Sequence, residues 1–158
     1  MDTIKAKEFA LEKLRQWGLI ELHWRFDFDT AKRRFGYCSY RKKLVSLSYD
    51  LTKLNVEEEV FDTILHEIAH ALAREMTGRR QGHNDVWKQY CLLVGARPKM
   101  YYSSGVAKPA PNFVGRCPTG HRFTRFNKPK GVRSCSYCSS KYDERYLITW
   151  SKYAANNN

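Results

Sequence analysis

The chain has 158 residues, enough for one sizeable core with a small appendage. Its 28 Lys+Arg outnumber its 16 Asp+Glu, for a net charge of +12. No apolar run approaches the roughly 18 residues that a membrane span requires. The polar, amphipathic stretch Met1–Glu8 lacks the form of a secretory leader, so a cytoplasmic protein is expected, nucleoid-associated or nuclear according to its source. In that setting cysteine thiols are available to zinc rather than to disulfides.

The charge is unevenly placed. Residues 1–95 hold 16 basic and 14 acidic side chains, whereas residues 96–158 hold 12 and 2. A basic segment beside a nearly neutral one points to a polyanionic partner, with nucleic acid the commonest. The alternative is a solvated basic surface that serves solubility.

In chain order, Ile4, Phe9, Ala10, Leu11, Leu14 and Trp17 recur at helical spacing and stop at Gly18. Residues 21–29 alternate, with Leu22, Trp24, Phe26 and Phe28 on one face, which predicts a half-buried strand with His23 on its polar side. Residues 35–40 and 44–49 predict two more strands around the basic turn Arg41-Lys42-Lys43, giving an antiparallel three-stranded meander. Asn55, with Glu58 three residues on, is the expected cap of a long helix that ends at Gly78. Another helix follows from about Asn84 to Gly95, with Cys91 on its apolar side; Cys38 is expected as a small strand residue. Pro98, Ser103-Ser104-Gly105 and Lys108-Pro109-Ala110-Pro111 break any period. The expected organisation is therefore a domain over 1–96, a linker over 97–112, a small basic domain over 113–153 and a disordered tail over 154–158.

The long helix carries His66-Glu67-Ile68-Ala69-His70. Two histidines four apart leave a helix from nearly the same side, one turn apart, and can share one zinc ion. Glu67 then leans towards the open coordination position, where a carboxylate can take the proton of an activated water and later pass it to a leaving amine. A catalytic zinc wants a third protein ligand. His83 is the candidate, because residues 78–82 span up to roughly 17 Å when extended and can cancel the ~10 Å by which the helix overshoots the metal. A cap of the next helix is the competing role for His83, and Asp85 or Glu75 are competing ligands.

Taken with Gly82-His83-Asn84-Asp85-Val86-Trp87, this motif resembles the SprT-like metalloproteases, to which the Spartan proteases of eukaryotes belong. The resemblance spans most of the chain. It implies an α+β, zincin-like domain: an N-terminal helix, the meander, the active-site helix and a third-ligand helix, followed by a zinc ribbon. It also implies His66, His70 and His83 as zinc ligands, Glu67 as general base, and a tie to DNA and to the cleavage of proteins attached to it. An Arg or Tyr near the cleft would stabilise the oxyanion, and the sequence does not choose between them.

The C-terminal part offers Cys117, His121, Cys135 and Cys138 as a closed Cys₃His zinc site, with the Cys135-x-x-Cys138 knuckle the firmer half. The complement is then two zinc ions, one catalytic and one structural. Between the knuckles, Arg122, Arg125, Lys128, Lys130 and Arg133 are interleaved with Phe123 and Phe126, a pattern that suits single-stranded DNA. Phe123 is expected in the small domain's core, and residues 142–150 in a closing strand. The expected function is a zinc endopeptidase acting on proteins bound or crosslinked to DNA. Two others remain: a nucleic-acid-binding zinc-ribbon protein with a vestigial protease site, and a cytosolic zinc peptidase unrelated to DNA.

Overall fold

The computed structural model describes residues 1–100 and 105–154 and divides into two compact units, Met1–Pro109 and Ala110–Asn158. The Ser103-Ser104 part of the expected linker and residues 155–158 of the expected tail lie outside the described residues. No helix among those described is long and apolar enough to cross a membrane.

The first unit opens with α1 (Thr3–Gln16), started by the Asp2 carboxylate, which accepts the Ile4 and Lys5 amides at 2.6 and 3.1 Å. Ala6, Ala10 and Leu14 form its fully buried stripe. The first strand, β1 (Arg25–Asp29), starts four residues later than its alternation suggests. Residues 19–24 form a turn instead, closed by Trp24 N–H donating to the Leu19 carbonyl at 2.9 Å, with His23 at φ 66°. Leu22 therefore lies exposed while Trp24 and Phe26 enter the core.

The sheet is not a meander. β2 (Gly36–Ser39) pairs antiparallel with β3 (Leu44–Ser48), but β1 pairs parallel with β3, giving the order β1-β3-β2. The reason lies in residues 30–35, which cross the end of β3 instead of folding back on β1. Ser48 donates its hydroxyl to the Ala31 carbonyl and its amide to the Phe35 carbonyl at 2.7 Å. Arg34 pairs with Asp29 at 2.8 Å, and Phe35 is fully buried. β3 takes the centre, where Val45 and Leu47 have no exposure. β2 is left on an edge.

A short helix, α2 (Tyr49–Leu54), follows β3 directly, capped by Ser48. Asn55 ends that helix and does not cap the next: its amide donates to the Leu51 and Ala107 carbonyls at 2.7 and 3.0 Å, and its side-chain oxygen accepts the Ala107 amide at 2.7 Å. The long helix α3 (Glu57–Thr77) starts from Val56 with no side-chain cap, so Glu57, Glu58 and Glu59 in its first turn supply the favourable charge. It buries Val60, Ile64, Ile68 and Leu72 against the sheet and α1. α4 (Asp85–Val94) is capped by Asn84, which accepts the Trp87 amide at 3.0 Å, and buries Trp87, Cys91 and Val94. Arg97 folds back onto α3, pairing with Glu59 and with Asp62, each at 3.0 Å.

The second unit is a three-stranded antiparallel sheet of β4 (Phe113–Arg116), β5 (Arg122–Arg125) and β6 (Thr149–Lys152), in the order β5-β4-β6. A 3₁₀ turn at Glu144–Tyr146 precedes β6, so the closing strand is shorter and later than residues 142–150. Among its described residues only Gly115, Cys117 and Cys135 are buried.

Candidate metal centres

α3 places His66 and His70 one turn apart, with ring centroids at 5.1 Å. Gly78, in the left-handed region at φ 67°, ends the helix and turns the chain back, and the loop to Asn84 delivers His83 to both. The Nε2 atom of His83 lies 3.1 Å from that of His66 and 3.2 Å from that of His70. Nitrogens at the corners of a tetrahedral zinc site with bonds of about 2.05 Å lie about 3.3 Å apart, so the three rings fit that ion. The competing ligands are engaged elsewhere: Glu75 accepts from the Trp24 indole at 3.1 Å, and Asp85 pairs with Lys88 at 2.8 Å.

Electrostatics favours the ligating form. Burial, and then the neighbouring His83, push the pKa of His66 down to about 4. Burial, followed by His66 and His83, takes His70 to about 3, and burial lowers His83 as well. All three imidazoles are thus neutral at pH 7 and offer lone pairs to a cation. Trp87 backs them: its indole stacks on His70 at 5.1 Å and 24° and meets His66 and His83 edge-on at 4.7 and 4.5 Å.

Glu67 is 6 % exposed, wedged between α3 and β2. Burial raises its pKa to about 8, partly offset by the Arg34 charge and by the Cys38 amide that it accepts. β2 can approach so closely only because residue 36 is glycine. A Cβ there would stand 2.6 Å from Glu67 Oε1 and 2.8 Å from the Thr63 methyl. Gly36, Tyr37, Tyr40, Arg80 and Gln81 join Glu67 and the three histidines around a cleft of about 310 Å³. Sequence reasoning missed Gly36, though a glycine inside the strand pattern Phe35–Tyr40 is a signal of close backbone approach. It also passed over Arg80, which no local pattern singles out.

In the second unit, turns after β4 and before the 3₁₀ segment gather Cys117, His121, Cys135 and Cys138. His121 turns Nδ1 inward, at 3.5, 3.6 and 3.3 Å from the Cys117, Cys135 and Cys138 sulfurs, and Cys117 and Cys138 are 3.9 Å apart. A tetrahedral zinc with three thiolates and one imidazole sets these separations at about 3.6 and 3.8 Å. The Thr119 hydroxyl adds 3.0 and 2.9 Å contacts to Cys117 and Cys138. Both clusters therefore suit zinc, three-ligand in the first unit and four-ligand in the second.

Arg122, Arg125, Lys128, Lys130 and Arg133 are all exposed, and none enters an ion pair among the described residues. Beside them Tyr137, 72 % exposed, lies tilted by 31° to both His121 and Phe123, at 5.2 and 5.7 Å. Phe123 is half-buried. Tyr137 was hidden in sequence because it reads there only as a spacer in the Cys135-x-x-Cys138 knuckle.

A family model described as the SprT-like family matches residues 6–105. A search of curated proteins finds no match.

Proposed function

The chain belongs to the SprT-like family, and on that premise we propose that it is a zinc-dependent endopeptidase acting on proteins bound or crosslinked to DNA. The convergence of His66, His70 and His83 beside a buried Glu67, in a cleft bordered by an edge strand, carries the peptidase reading. Zinc held by the three imidazoles would polarise the scissile carbonyl and acidify a water molecule. Glu67 is placed to receive that water's proton and to return it to the departing nitrogen as the C–N bond breaks. Its carboxyl, pinned by the Cys38 amide and facing Gly36, has little freedom to rotate away. Trp87 and the helix hold the imidazoles before substrate arrives, so little reorganisation remains at the moment of reaction.

The DNA part rests on the second unit. Five unpaired cations offer counterion release from a phosphate backbone, and Tyr137 offers an open ring face for an unstacked base, which favours single strands. Such binding would concentrate the enzyme on nucleic acid, so that substrates are selected by location.

The test is cleavage of a DNA-bound protein, with and without single-stranded DNA, by wild type and Glu67→Gln. The variant is expected to keep two zinc ions per chain and its DNA affinity while losing about 100- to 10,000-fold in rate. Cleavage by Glu67→Gln at the wild-type rate rules out Glu67 as base. Cleavage indifferent to DNA favours a peptidase with other targets.

A further inference from the structure

As water adds to a peptide carbonyl, negative charge gathers on its oxygen, and donors aimed at that oxygen lower the barrier. Resting on the endopeptidase reading, we infer that Arg80 is the catalytic residue that stabilises this charge. Besides the metal cluster and Glu67, the cleft presents four polar side chains: Tyr37, Tyr40, Arg80 and Gln81. Three are committed or face elsewhere. Gln81 donates to Thr77 Oγ1 at 3.0 Å and accepts from Asn84 at 2.9 Å. Tyr40 gives its one hydroxyl proton to the Gln81 carbonyl at 3.2 Å. Tyr37 is half exposed, its ring under the Arg34 guanidinium at 4.3 Å.

Arg80 differs from all three. Its guanidinium lies 5.7 Å from the Tyr40 ring centroid. It is near enough for its charge to act on His70, Cys38 and Tyr40, which border the cleft together with Glu67. It enters no ion pair among the described residues. Its roughly five guanidinium N–H donors are left for substrate. A seated peptide would cover this cation and exclude water, which strengthens its pull on an anionic oxygen. In the reaction the water oxygen bonds to the carbonyl carbon, Glu67 carries the proton to nitrogen, and the C–N bond breaks. Arg80 exchanges no proton.

The experiment compares wild type, Arg80→Ala, Arg80→Lys, Tyr37→Phe and Glu67→Gln, each with its zinc content measured. Turnover of a short fluorogenic peptide is read as kcat and KM, and affinity is measured for a phosphinic pseudopeptide, whose tetrahedral anion resembles the transition state. Arg80→Ala is expected to lower kcat about 100- to 1,000-fold with KM within a few-fold. It should weaken phosphinic binding by a similar factor, keep two zinc ions, and be partly rescued by millimolar guanidinium chloride. Tyr37→Phe should lose far less than Arg80→Ala. The assignment to Arg80 is overturned if Arg80→Ala keeps its kcat and its phosphinic affinity, if only KM moves, or if Tyr37→Phe shows the larger loss. The endopeptidase reading fails separately, and the Arg80 assignment with it, if wild type is inert or Glu67→Gln cuts as fast as wild type.

Discussion

The two metal clusters are built on opposite plans. In the first unit the ligands stand on a 21-residue helix and the loop beyond it, above a core that includes Trp24, Phe35, Ile64 and Ile68, and Trp87 backs them from α4. In the second unit the candidate ligands hang on turns, and two of the three buried described residues are themselves candidate ligands. Apolar burial holds the first cluster in place, so His66, His70 and His83 would hold a metal with three protein ligands, without the metal being needed for the fold. In the second a metal would substitute for a core, with Cys117, His121, Cys135 and Cys138 there to hold it.

Chelation should separate the two plans most sharply. With zinc removed, the 110–158 unit is expected to lose its fold, while the 1–109 unit stays folded and inactive. Amide hydrogen exchange followed along the chain will show this, and concerted loss of protection in both units would contradict it. Gly36→Ala tests the close contact inside the first cluster. The methyl must displace Glu67 or β2, costing about 1–3 kcal/mol, and activity should fall with zinc content unchanged. Denaturant melts and zinc stoichiometry check both halves of that statement.

A pH titration of the metal-free protein comes next. Glu67 holds its proton in the folded state up to about pH 8, well above its unfolded value, so its burial lowers stability as pH rises towards 8. The histidines act in the opposite sense. Their folded pKa values, about 4 and 3 for His66 and His70, lie below the unfolded value, so stability falls as pH drops below about 6.5. Stability of the first unit should therefore peak near pH 6.5 and decline by up to about 2 kcal/mol at pH 8. A peak displaced to pH 8 or above would show that Glu67 ionises freely. The smallest effect is expected from Thr119→Val, which removes the hydroxyl beside the Cys117 and Cys138 sulfurs. Its second-unit zinc should bind about tenfold more weakly, measured by competition with a chromophoric chelator, while peptide cleavage is unchanged.

What was legible in sequence follows from distance along the chain. His66, Glu67 and His70 share one helical turn, and the return of His83 is a matter of loop reach, so the first cluster's geometry was accessible before any coordinates. The strand order was not. Parallel pairing of β1 with β3 depends on where residues 30–35 cross, and the bonds that hold them come from Ser48. Asn55 resembles a helix cap until its partner, Ala107, is brought to it from 52 residues away. Gly36 looks like a weak spot in a strand until Glu67, 31 positions on, occupies the space a side chain would need.

The indole of Trp87 offers one more use. Of the chain's four tryptophans, it is the one stacked on a metal-cluster histidine, at 5.1 Å from the His70 ring. An open-shell ion such as Co²⁺ or Cu²⁺ seated among the three imidazoles would quench its fluorescence, and a closed-shell ion would not. The protein thus carries an intrinsic optical gauge of what fills its first cluster, readable without label or substrate.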